Sequence, residues 1–341
     1  MHFPSTLALA ALTSTSLALT IPKRGDAPAD ADCTNWVTVT STVTRGGAPT
    51  GAPPAQGAAV AEPTPDTVPD ATYDERVDNS DGQSGGDSSP SQGSGNGGGS
   101  DYSPPENKRG FAYNDANLVN QLLKGGAKGS WAYNWGSNDN GLDSSIEFVP
   151  MLWGEKTLDT WDADAKDMIA KGAKNLLSFN EPDHAEQAKI DPESAADLHV
   201  KKMNPYSDNG KVRIGSPGVT NSEKPGEGTQ WLESFMKACE TKGCQVDFCV
   251  AHWYAPSNAE QSLKDHLDEV RRICGDDRPV WLTEFAPNDD TGSADFIKSA
   301  MGMLDDIDWL ERYSYFMVGG EGKLTEGSGG LSAEGQAYFE G

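Results

Sequence analysis

The chain has 341 residues, a formal charge of −25, and 38 glycines and 21 prolines spread unevenly along it. Acidic residues outnumber basic ones both before residue 109 and after it, which excludes non-specific binding to a phosphate backbone and points to a neutral ligand. The uneven Gly and Pro usage argues for one folded body behind a long unfolded stretch.

Residues 1–20 read as a signal peptide. An apolar run from Leu7 to Leu19 contains small residues suited to a peptidase and precedes Ile21, Pro22, Lys23 and Arg24. It is too short and too rich in Ser and Thr to span a bilayer, so secretion is expected and membrane insertion is not. Lys23-Arg24 would suit a dibasic cut or serve as a polar flank. Residues 21–45 form a short segment of undefined role, in which "CTNWVTVTSTVT" alternates like a strand. Residues 46–108, with "GAPTGAPPAQGAAVAEPTP" and "DGQSGGDSSPSQGSGNGGGS", carry too few aromatic and β-branched side chains to offset chain ordering. This stretch is expected to be a disordered tether.

From residue 109 strand and helix patterns alternate, as in parallel α/β folds. Eight strands are expected at 109–114, 130–135, 146–152, 175–181, 212–218, 247–254, 279–285 and 313–318. Helical segments such as "DTWDADAKDMIAKG", "TQWLESFMKACETKG" and "NAEQSLKDHLDEVRRICG" lie between most of them, several closed by a Gly suited to a C-cap. The connection "GSNDNGLDSS" is too short and polar for a helix. Eight such units over 109–341 fit a (β/α)8 TIM barrel of about 250 residues. An open doubly wound sheet is the alternative, but no Gly-rich phosphate loop follows the first strand.

Five cysteines in a secreted chain point to disulfides, since no Cys-x-x-Cys cluster suits zinc. Cys239, Cys244, Cys249 and Cys274 allow three pairings; Cys239 with Cys244 and Cys249 with Cys274 is preferred, leaving Cys33 over.

In a barrel the reactive residues collect at the carboxyl ends of the strands. "NLLSFNEPDH" ends the fourth strand on Asn180 and Glu181, "WLTEF" ends the seventh on Glu284, and "AHWYA" ends the sixth on His252, Trp253 and Tyr254. Two carboxylates facing each other across a cleft are the minimum for cleaving a glycosidic bond. Asn180 would hold a sugar hydroxyl, and Tyr254 would hydrogen-bond the second carboxylate. Trp135 and Trp153, closing strands two and three, offer apolar ring faces to sugar C–H groups, or else pack the barrel. Trp131, Trp161, Trp231, Trp281 and Trp309 read as packing residues, and His199 and His266 as surface positions on helices. Glu181, Asp183 and His184 are adjacent and divergent, so no metal site is expected.

"SFNEPD", "AHWYA", "WLTEF", "WAYNW" and "VPMLWG", in this order and spacing, resemble the fungal members of glycoside hydrolase family 128. The resemblance spans 109–341. It implies a retaining (β/α)8 β-1,3-glucanase, endo-acting on polysaccharide or oligosaccharide, with Glu181 as acid/base and Glu284 as nucleophile. Asn180, His252 and Tyr254 would support the subsite where the bond breaks. It implies no cofactor, an extracellular or wall-associated location and a monomer. Asn-Glu-Pro alone is shared by many mannanases and cellulases, so another β-glycanase is the alternative within enzymes. A wall glucan-binding protein without turnover is the alternative outside them.

Overall fold

In a computed structural model, the described residues are 102–207, 211–289, 293–319, 323–326 and 330–340. The expected signal peptide, the segment 21–45, Cys33 and most of the expected tether lie outside them. The ordered body begins earlier than expected, because 102–108, read as the end of the tether, pack against it. Tyr102 donates to Glu311 and lies 4.0 Å under the Arg213 guanidinium. Lys108 Nζ donates to the carbonyls of Asp305 and Ile307 at 2.9 and 2.8 Å.

The elements in chain order are β1 (Gly110–Ala112), α1 (Ala116–Lys124), β2 (Trp131–Tyr133), β3 (Glu147–Phe148), α2 (Leu158–Ala170), β4 (Asn175–Leu176), α3 (Pro192–Lys202), β5 (Arg213–Val219), α4 (Gly228–Lys242), β6 (Phe248–Ala255), α5 (Glu260–Cys274), β7 (Val280–Pro287), α6 (Ser293–Asp305), β8 (Leu310–Tyr315) and α7 (Ala333–Glu340). All ladders are parallel, in the orders β1-β2-β3 and β4-β5-β6-β7-β8. Parallel bridges at Met151–Leu177, Arg109–Tyr313 and Tyr113–Val318 link the ends of these runs, and the sheet is curled.

Strands three and four are shorter than the sequence suggests. Pro150 has no N–H to offer a ladder, and the chain leaves the sheet before Glu181, where φ is 43°. Strand eight starts earlier, at Leu310, because Glu311 and Arg312 are paired charges inside the sheet. Helices start where the chain supplies caps: Asp115 accepts from the Asn117 N–H at 2.9 Å and Asp191 from the Ser194 N–H at 3.0 Å.

The strands bury apolar side chains on both faces, as expected of a parallel sheet covered by helices. Trp161, Phe235, Leu263 and Leu304 from the helices pack on one face. On the other, Ala112, Trp131, Tyr133, Val149, Met151, Leu177, Phe248, Val250, Trp281 and Met317 form a second cluster without helical residues. At the amino ends of the strands this inner cluster is closed by charges. Arg213 makes two bonds to Glu311, of 2.7 and 3.0 Å, and Arg312 reaches Glu147 at 2.7 Å. Removing one partner of a buried pair costs about 3–5 kcal/mol, so this end of the sheet is a structural plug.

The disulfides are Cys239–Cys244 and Cys249–Cys274. The second closes a separation of 25 residues and ties β6 to α5. Loop closure of that length restricts the unfolded chain by about 3–4 kcal/mol.

Trp309, expected to be a packing residue, packs partly buried against the core beneath Lys264 and Arg271. The two surface expectations, His199 and His266, are corrected. His199 is fully buried, because Ala195, Ala196 and His199 share the inner face of α3 and no bulky apolar residue marks that face. His266 is half-buried, and burial pulls its imidazole down to about 4. Burial also lowers His199 to about 4, while its Nε2 donates to the Gln245 carbonyl at 2.8 Å and its Nδ1 meets Ser178 Oγ at 3.1 Å. The unfolded chain binds this proton near pH 6.5 and the folded one only near 4, so stability is full above 6.5 and falls as pH drops towards 4. Urea unfolding is therefore expected to show a loss of about 2–3 kcal/mol from His199 between pH 7 and 4.5. In H199Q the pH dependence should be shallower by that amount; an unchanged slope would refute the assignment.

Candidate active site

Glu181 and Glu284 reach the same place by different local devices. Glu284 stands on β7, opposite His252 of β6 in the ladder, and both project from the same region of the sheet. Glu181 follows β4 at a left-handed turn, which costs a non-glycine residue about 1–3 kcal/mol and is common at functional sites. The turn is held by the Glu181 N–H on the Gly218 carbonyl at 2.8 Å and the Asn180 N–H on the Trp153 carbonyl at 2.9 Å.

His252 joins the two acids. Its Nδ1 lies 2.9 Å from Glu181 Oε1 and 3.4 Å from Glu284 Oε1. The Nδ1 proton therefore points at carboxylates, and Nε2 accepts from Thr283 Oγ1 at 2.9 Å when the ring is neutral. One oxygen from each acid and one His252 nitrogen lie within 4.8 Å of one another. The imidazole fits only because residue 218 is glycine: a Cβ there would stand 2.9 Å from Nε2.

Glu284 accepts two further bonds, 2.7 Å from Trp135 Nε1 and 2.6 Å from the Tyr254 hydroxyl. Trp135 also has a left-handed backbone, φ 57°, which turns its indole N–H towards the acid. Asn221 grips Tyr254 by both its backbone N–H and its carbonyl, at 3.0 and 3.1 Å. Phe316 fills the space behind these donors, 5.5 Å from the Trp135 ring and 5.7 Å from the Tyr254 ring.

The two acids differ electrostatically. Burial raises Glu181, and the charges of Glu284 and Asp183 add to that; the bond and charge of His252 oppose it without cancelling it. Burial lowers His252, but the charge of Glu284 and the bond to Glu181 outweigh it and the net direction is upward. Both directions favour a proton on the Glu181–His252 pair.

The other expected residues are placed as follows. Asn180 is buried, with Nδ2 3.4 Å from Gln187 Oε1, and its Oδ1 has no hydrogen-bond partner among the described residues. Trp153 is partly buried and packs with Trp135 against the inner cluster, with Lys156 Nζ 5.5 Å from its ring centre. Asp183 serves the backbone, accepting from the Gly228 N–H at 2.9 Å and from Thr220 Oγ1 at 2.5 Å. Thr283, Tyr133, Asn221, Phe316 and Gly218 were not marked by the sequence. Thr283 and Tyr133 lie in quoted strand motifs, but the direction of Thr283 depends on the bulge in the β6–β7 register, and the Tyr133 hydroxyl meets the site through its 2.9 Å bond to the Thr283 carbonyl.

A curled parallel sheet carrying two buried carboxylates this close, one pushed towards its protonated form by burial and one fixed by hydrogen-bond donors, defines a glycoside hydrolase. The model of the glycosyl hydrolase catalytic core matches residues 110–338. A curated relative, alkali-sensitive linkage protein 1 of Schizosaccharomyces pombe, is 33% identical over 247 residues, covering 67% of this chain; the chain spans 42% of that relative's length. Among solved structures, a curdlan-specific exo-β-1,3-glucanase of glycoside hydrolase family 128 (subgroup III) from Blastomyces gilchristii is 39% identical. The match covers 70% of this chain and 99% of the other, with a TM-score of 0.64. A subgroup I endo-β-1,3-glucanase from Amycolatopsis mediterranei, in complex with laminaripentaose, is 30% identical, with coverage of 68% and 98% and a TM-score of 0.57. The chain belongs to the glycosyl hydrolase catalytic core family, and within it to glycoside hydrolase family 128.

Proposed function

We propose that this chain hydrolyses β-1,3-glucan with retention of anomeric configuration, Glu181 serving as acid/base and Glu284 as nucleophile. The observation that carries the reading is the convergence of the two acids, an oxygen of each and a His252 nitrogen lying within 4.8 Å of one another. Retaining enzymes hold their carboxyl groups about 5–5.5 Å apart, whereas inverting ones leave about 6.5–9.5 Å for a water. Protonated Glu181 gives its proton to the leaving oxygen while Glu284 bonds to the anomeric carbon. Glu181, now a base, takes a proton from the water that releases the glycosyl group and restores both acids. Asn180 Oδ1 supplies a buried acceptor for a sugar hydroxyl, and Trp135 and Trp153 supply ring surface.

The same reading takes the eight strands as a closed (β/α)8 barrel, supported by the bridges that join β1 to the β8 side and the β3 segment to the β4 segment. The Arg213–Glu311 and Arg312–Glu147 pairs, which draw β3, β5 and β8 together inside the curl, support it further. The enzyme works as a secreted monomer at or near a wall; its secretion is supported by the apolar stretch at 7–19.

The test is incubation with laminarin, curdlan, mannan and cellulose, with product anomers followed by proton NMR. Reducing sugar from the β-1,3-glucans alone, first seen as the β-anomer, is expected. First appearance of the α-anomer would overturn retention, and release from mannan or cellulose would overturn the substrate. Glucose as the sole early product marks exo action, the mode named for the Blastomyces relative; a ladder of oligosaccharides marks the endo action expected from the sequence.

A further inference from the structure

Lys323 follows β8 and is absent from the chemistry above. It is partly buried, and its Nζ lies 4.6 Å from the centre of the Phe316 ring. Phe316 meets the rings of Trp135 and Tyr254 edge-on, the two residues that donate to Glu284. Ammonium, aromatic shelf and nucleophile thus share one wall of the site.

The backbone keeps Lys323 there. Its carbonyl accepts from Ser332 Oγ at 2.6 Å, and the next residue, fully buried Leu324, donates its N–H to the Met317 carbonyl at 3.1 Å. Burial lowers the Lys323 ammonium, and the nearby charge of Glu284 opposes that. No salt bridge or hydrogen bond engages Nζ among the described residues. A half-buried ammonium over an aromatic ring holds three donors and no acceptor, so it suits oxygen acceptors on a ligand lying along that ring.

We propose that Lys323 is a glycone-binding residue, donating to hydroxyl oxygens of the sugar that becomes bonded to Glu284 and selecting for that sugar's hydroxyl pattern. The side follows from the chemistry, because the nucleophile bonds to the sugar retained after the first step, and Lys323 borders the nucleophile's own donors. The inference rests on the nucleophile role given to Glu284 above.

The experiment compares wild type, K323M and K323R on laminarihexaose and on 2,4-dinitrophenyl β-laminaribioside, whose leaving group needs no proton. K323M is expected to lower kcat/KM about 10- to 100-fold on both substrates, the range for losing a bond from a charged donor. K323R, which keeps donors and charge, should stay within about fivefold of wild type. The unfolding temperature of each variant should lie within about 2 °C of wild type. K323M within about twofold of wild type on both substrates would overturn the proposal. So would a loss confined to laminarihexaose, which would put Lys323 on the leaving-group side. If K323M unfolds early, K323Q takes its place under the same criteria. An active E284Q enzyme would sink the nucleophile assignment instead, a result separable from any ratio between the Lys323 variants.

Discussion

Replacing Glu284 with Gln is expected to lower kcat on laminarihexaose by about 10⁵-fold or more while the fold and glucan binding persist. The side chain keeps its shape, and its surroundings can accept the amide. Trp135 Nε1 still has an oxygen to donate to at the place of Oε1, and the Tyr254 hydroxyl, which donates to Oε2 at 2.6 Å, can turn and accept from the new NH₂. What the variant lacks is the electron pair that forms the bond to the anomeric carbon. Shortening the residue to Ala adds a stereochemical signature: azide entering the vacated space should restore turnover and give the α-glycosyl azide, opposite to the normal product. Activity of E284Q within about tenfold of wild type would remove Glu284 from the nucleophile role.

How much of this site could be read in advance depended on the kind of residue. "AHWYA" and "WLTEF" are apolar runs that end on polar residues, and such runs mark strands whose tips meet a cleft. Glu284 and His252 were legible there, and in the structure they are ladder partners. Glu181 was legible as a position but not as a geometry, since a left-handed φ at Glu leaves no trace in composition. Its partner Gly218 hides in "SPG", where a glycine reads as a turn former; its role is to leave room for the imidazole.

The charged plug was not legible. Arg213, Glu311, Arg312 and Glu147 break the apolar pattern that identifies strands, and only the curl of the sheet brings them together. The late placing of the eighth strand has the same cause: "LERYSY" looks solvated unless the partners of Glu311 and Arg312 are known. His199 misleads for the converse reason, since its face of α3 is marked by two alanines that periodicity weighs lightly. Tyr102 was hidden by its setting, one aromatic at the end of a Gly/Ser-rich stretch, whose ring stacks on Arg213 and whose phenol burial raises to about 12.

Truncating Glu181 to Ala should separate the two steps of the reaction. On laminarihexaose, whose leaving alkoxide needs a proton, kcat/KM is expected to fall about 10³- to 10⁴-fold. On 2,4-dinitrophenyl β-laminaribioside the first step should fall less than about tenfold, and a burst of dinitrophenol should precede slow turnover, because the base for the second step is also gone. The pH profile gives an independent reading. Wild-type Glu181 must be protonated at the start, so kcat/KM is present below its folded pKa and lost as pH rises through it. Burial raises that pKa, with the charges of Glu284 and Asp183 in support, so the alkaline limb should sit above the ordinary carboxylate range. In E181A the limb should vanish on laminarihexaose, the substrate whose leaving group needs the proton. Equal losses on both substrates with the limb intact would show that Glu181 shapes the site without moving the proton, and another group would then have to supply it.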